Sequence, residues 1–93
     1  MADLDEEIRR GMDAERLMNE PMLKDALQTM KTALQGELNR ADLNNSDRLK
    51  TLVGHIQAVN SFEKLLRSTM ETGKMARIQK NTRDASNLRK VKG

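Results

Sequence analysis

The chain has no cysteine, no tryptophan and no tyrosine, a single proline, and one aromatic ring, that of Phe62. Each absence closes off a class of protein. Without cysteine there is no disulfide framework, no thiolate metal site and no thiol nucleophile. Aromatic side chains normally supply much of a core's buried area. Here Leu, Ile, Val, Ala and seven Met must supply it instead. A chain of 93 residues also buries a low fraction of its surface. Composition therefore predicts an object stabilised by copies of itself or by a partner. No apolar run approaches the ~20 residues of a membrane helix, so no membrane contact is expected. The first residues are acidic and lack the basic and apolar character of a signal peptide.

Charge is present in quantity and is unevenly placed. The net charge is +3. Residues 1–20 carry seven acids against three bases, a balance of −4, and residues 74–93 carry seven bases against Asp84, a balance of +6. Such separation marks an interaction segment.

The apolar residues recur at helical steps of three and four. Leu4, Ile8 and Met12 form a thin stripe over about 3–18, which Gly11 interrupts. Asp3 followed by Glu6 resembles a capping box, and the early acids suit a helix N-terminus. Proline is favoured in a first helical turn and disfavours helix in the residue before it. A second helix is therefore expected over about 21–40, starting at Pro21. Its stripe is Leu23, Ala26, Leu27, Met30, Ala33, Leu34 and Leu38. The run Asp42 to Asp47 is rich in short polar side chains that bond nearby amides, and Asn45 or Ser46 is the expected cap of a third helix.

That third helix, about 46–72, has the stripe Leu49, Leu52, Val53, Ile56, Val59, Leu66 and Met70, with Gly73 as its expected stop. Phe62 and Leu65 fall outside the stripe and widen its apolar surface. Met12, Met30 and Met70 sit at core spacing. Gly36 and Gly54 each fall opposite the stripe of their own helix, where a glycine weakens the helix by ~1 kcal/mol. The short connection makes helices two and three an antiparallel hairpin. The expected fold is all-α: a hairpin preceded by a shorter helix and followed by a basic C-terminal tail. Residues 1–76 form the helical domain. Residues 77–93 form an extended or disordered tail, helix being allowed for a few turns past Gly73, through Ile78.

Reactive constellations are missing. His55 is the one histidine, and no acid stands at an offset that would orient it as a base or complete a metal site. The five glycines are scattered singly, so no phosphate loop exists. Residues 42–47 lack the alternating acids, central glycine and distal glutamate of a calcium loop. No catalytic residue, metal, cofactor or small-molecule substrate is expected. Seven cations, Lys74, Arg77, Lys80, Arg83, Arg89, Lys90 and Lys92, suit contact with a DNA backbone or with an acidic protein surface. Without aromatics among them they suit base stacking poorly.

Two stretches carry a resemblance. Ala14-Glu15-Arg16-Leu17-Met18-Asn19-Glu20-Pro21-Met22-Leu23 resembles the opening of a group of small tailed-bacteriophage proteins that read roughly Ala-Glu-x-Leu-Leu-Asn-x-Pro-x-Leu. Glu71-Thr72-Gly73-Lys74-Met75-Ala76 resembles the Glu-x-Gly-Lys-Leu-Ala that closes the same group's helical region. The resemblance covers about residues 14–76 and implies a viral setting among head and packaging genes, with a non-enzymatic role in the particle or its assembly. The expected function is then a virion structural or head-assembly protein. It acts as a homo-oligomer with other phage head proteins as partners, in the virion or the host cytoplasm. Phe62, Leu65, Leu66 and Met70 are its expected protein interface, and the seven cations dock on DNA or on an acidic capsid or portal surface. The alternative is a nucleic-acid-binding packaging or regulatory subunit similar to a small terminase.

Overall fold

The computed structural model describes residues 3–92, and side chains from Asp3 to Ala85. It is all helical among the described residues: α1 spans Leu4–Met18, α2 spans Pro21–Arg40 and α3 spans Ser46–Lys92. The contacts divide into two compact units. One is the hairpin, Met18–Leu65, which holds α2 and the first part of α3. The other joins α1, through Leu17, to α3 from Leu66 onward.

The hairpin starts where proline dictates. Pro21 occupies the first turn of α2, where its missing N–H is no loss, and Glu20 is the cap, with its carboxylate accepting from the Met22 N–H at 3.4 Å. The helix ends at Arg40, where Ala41 turns to extended backbone and its N–H bonds the Leu38 carbonyl. Asp42 then organises the turn. Its side chain accepts from the Asn44 N–H at 2.9 Å and its carbonyl from the Asn45 N–H at 3.0 Å. Of the two expected caps, Asn45 and Ser46, it is Asn45 that caps α3, its Oδ1 accepting from the Arg48 N–H at 3.1 Å.

The inner rows of the hairpin are Leu23, Leu27, Leu34 and Leu38 on α2, all half-buried, and Leu49, Leu52, Ile56 and Val59 on α3. Leu52 is fully covered and Val59 nearly so. Two ion pairs bracket the seam, Lys31 with Glu63 at 2.5 Å and Arg48 with Glu37 at 3.3 Å. No residue of α2 reaches full burial. Half of its apolar arc is therefore left uncovered by α3. Ala26, Met30 and Ala33, expected on the face toward α3, are exposed, as is Val53 on α3.

In the other unit, Asp3 opens α1 by accepting the Asp5 and Glu7 amides. Glu6 does not complete the capping box; its carboxylate pairs instead with Arg10 one turn on, at 2.9 Å. The packing row of α1 is built from small residues, Gly11 and Ala14, and that of α3 from Gly73 and Ala76. A Cβ placed on Gly11 would lie 2.7 Å from the Gly73 Cα, and one placed on Gly73 would lie 2.9 Å from the Glu7 carbonyl oxygen. The two backbones touch directly.

This contact corrects the expected end of the third helix. A glycine stop needs a left-handed backbone, and no residue among those described has positive φ. Gly73 is an ordinary helical residue whose missing side chain admits α1. The helix runs on to Lys92, so the basic stretch from 77 is helical where described and not extended. The run Lys74-Met75-Ala76-Arg77 and the later Gln79-Lys80 are good helix formers, which a low apolar content had masked.

Candidate functional site

The hairpin's uncovered apolar face is the most developed surface in the structure. On α2, Met22 is 75% exposed and Met30 49%; on α3, Phe62 is 44% exposed and Leu65 64%. At 100° per residue, Met22, Ala26, Met30 and Ala33 fall within one arc of α2 of about 80°. The side of the seam on which this arc lies follows from the opposite margin. There Lys31 and Gln35 of α2 and Ile56 and Asn60 of α3 line a common recess. The arc of α2 holding Met22 and Met30 and the arc of α3 holding Phe62 and Leu65 both lie on the other margin. They share one face of the hairpin.

The four residues expected to form a protein interface are split by the fold. Phe62 and Leu65 lie on the hairpin and are exposed. Leu66 and Met70 belong to the other unit and are half-buried. Met70 lines a small cavity of about 60 Å³ beside the glycine contact, with Ile8, Met12 and Lys74. Of the three methionines expected in the core, only Met70 is half-buried; Met12 and Met30 are about half exposed.

The basic residues are not one uniform patch. Lys80 is held by Asp5 at 2.5 Å. Its hydrogen bond to Asp5, then the attraction of the same carboxylate, raises its pKa above the ordinary lysine value. Arg77 donates to the Met12 Sδ at 3.3 Å. Lys74 and Arg83 are exposed. The side chains of Arg89, Lys90 and Lys92 lie outside the described residues. Two of the expected docking cations are therefore engaged with α1, on the acidic segment of the same chain.

Among the described residues no group of three His, Asp or Glu side chains is placed to hold a metal. His55 is exposed on α3. Among the described residues no helix is long and apolar enough to cross a membrane.

Sequence reasoning missed two features. The glycine contact pairs residues 62 positions apart, and each glycine alone reads as a local defect. The open face of α2 had a signal. The apolar arc from Met22 round to Leu38 spans about 160°, more than the roughly 100° stripe that one core-facing side needs.

No protein-family model matches the sequence, and no curated protein or solved structure is significantly similar to it.

Proposed function

We propose that this chain is a structural or head-assembly protein of a tailed-bacteriophage particle, acting through protein contacts in a symmetric multimer. The observation that carries the multimer is the open apolar face of α2, a helix with no buried residue of its own. The viral setting rests on the resemblance of residues 14–23 and 71–76 to the small phage proteins. Many identical copies turn weak single contacts into a strong assembly. The exposed cations of α3, Lys74 and Arg83 with Arg77 beside them, dock on DNA or on an acidic capsid or portal surface. The chain then works in the virion or in the host cytoplasm, with other head proteins as partners.

Mass spectrometry of purified particles and of empty heads tests this reading. Recovery of the chain in stoichiometric amounts supports it. Absence from both overturns the structural role.

A second reading, a DNA-binding packaging or regulatory subunit, is favoured by Lys74, Arg77, Lys80 and Arg83, which recur every three residues along α3 and of which all but Lys80 are exposed. Phosphate contacts release counterions, so such binding weakens steeply with salt. Replacing Lys74, Arg77 and Arg83 with Gln should flatten the salt dependence of DNA affinity if this reading holds. It should leave particle incorporation as the only affected property if the structural reading holds.

A further inference from the structure

We propose that the open face of the hairpin seats the same face of a second copy, so that two hairpins close a four-helix bundle about a two-fold axis. This deepens the multimer reading above. It rests on copies of the chain contacting one another and not on the phage setting.

The first support is charge. One third of the residues are Asp, Glu, Lys or Arg. Yet the open arc of α2 from Met22 to Ala33 has none, and neither has the open arc of α3 from Thr51 to Leu65. His55 is the one titratable side chain there. A phosphate backbone or an acidic protein needs cations to recognise it, and from Met22 to Ala33 this face offers no fixed charge, while at the loop end Glu37 and Arg48 neutralise each other. What it fits is another apolar surface. A second copy presents one without like charges meeting, although each copy carries +3 overall.

The second support is relief. Along α2 the face alternates large and small, Met22, Ala26, Met30, Ala33. Across the seam Phe62 and Leu65 stand as further knobs. Large side chains over small ones let facing layers interdigitate. A two-fold axis makes every contact occur twice, residue i on j and j on i, so one knob seated in one gap is repeated across the interface. Two antiparallel pairs stacked face to face are the four-helix bundle, whose core is shared by all four helices.

The third support is area. A standard dimer covers about 800 Å² on each partner. Within the described hairpin only Leu52 and Val59 are buried hydrophobic residues. Doubling the hairpin converts exposed Met22, Met30, Phe62 and Leu65 into core without requiring any new segment.

Light scattering across a concentration series, joined to isotope-filtered NMR on a mixture of labelled and unlabelled wild-type chain, tests the proposal. Phe62 is the sole Phe, Tyr or Trp, so its ring is an unambiguous reporter. The expected result is a mass twice the 10.6 kDa of one chain, with intermolecular contacts from the Phe62 ring to methyls of Met22, Met30 or Leu65. Met30→Lys should raise the dissociation constant ~10-fold or more, as loss of a central anchor does, while Gln35→Lys on the opposite margin leaves it unchanged. A dimer whose intermolecular contacts avoid these residues overturns this surface and spares the multimer. A folded monomer at about 100 µM, far above micromolar association, overturns both. The wild-type measurements decide the matter even if Met30→Lys fails to fold.

Discussion

Gly11 and Gly73 meet backbone to backbone: a methyl group on Gly11 would stand 2.7 Å from the Gly73 Cα and 3.2 Å from the Thr69 carbonyl oxygen. No side chain lies between the helices at that level to yield. Alanine at either position must push α1 away from α3. An exposed Gly→Ala exchange in a helix gains ~1 kcal/mol of propensity, while overpacking a close contact costs ~1–3 kcal/mol. The second effect wins here because the obstacle is main chain. Gly73→Ala is expected to lower stability by up to ~2 kcal/mol, with amide exchange accelerated throughout α1. Urea melts joined to hydrogen-exchange mass spectrometry check it. An unchanged or stabilised α1 would remove the contact from the argument.

Gly54 makes the opposite case. A Cβ there meets nothing within 4 Å, and the position is mid-helix in α3. Gly54→Ala therefore keeps its helical gain without any steric charge against it and should stabilise the chain by ~0.5–1 kcal/mol. Two glycines on one helix thus respond with opposite sign. Parallel urea melts of the Gly54→Ala and Gly73→Ala variants display the contrast in a single measurement.

What the sequence alone could deliver divides along the same line. The start of α2 was legible because Pro21 acts on its own neighbours. The cap at Asn45 was legible because an Asn side chain bonds an amide three residues away. Both are local events. Gly73 was misread because the same local grammar treats a late glycine as a stop, whereas its partner sits on α1, outside any window. The basic stretch beyond 77 reads in sequence as an extended or disordered tail because apolar residues are sparse there. Its helix rests on propensity and on continuity with α3, neither of which needs an apolar stripe. Of the expected interface, Phe62 and Leu65 are exposed as their azimuth implied. Leu66 and Met70 turn inward because the contacts of α3 pass from α2 to α1 at that point in the chain.

The hairpin has one large side chain shielded completely, Leu52. Truncating a buried leucine removes transfer energy and leaves a cavity, at a cost of ~2–5 kcal/mol. In a chain with so few buried residues, that is a large part of a total stability of order 5 kcal/mol. Leu52→Ala should therefore leave the hairpin largely unfolded at 37 °C by circular dichroism. Leu43, in the turn and 84% exposed, makes the control: Leu43→Ser should shift the midpoint little, within ~0.5 kcal/mol.

α1 and α3 are also linked by the ion pair of Asp5 and Lys80, and its pH response has a definite sign. The hydrogen bond and attraction of Asp5 raise the Lys80 pKa above the ordinary 10.5. A group whose pKa is higher in the folded chain contributes its stability fully below the unfolded value and loses it as pH rises through the folded one. The contribution is thus intact throughout the neutral range and begins to fade only above pH 10.5. Because Lys80 is exposed to solvent, salt should screen the pair as well. Carbon-detected NMR of the lysine ε positions checks the first point: Lys80 should titrate above the ordinary 10.5, and Asp5→Asn should abolish the shift. If Lys80 keeps its displaced titration in Asp5→Asn, another group holds it, and the ion pair is not what ties the first turn of α1 to the basic part of α3.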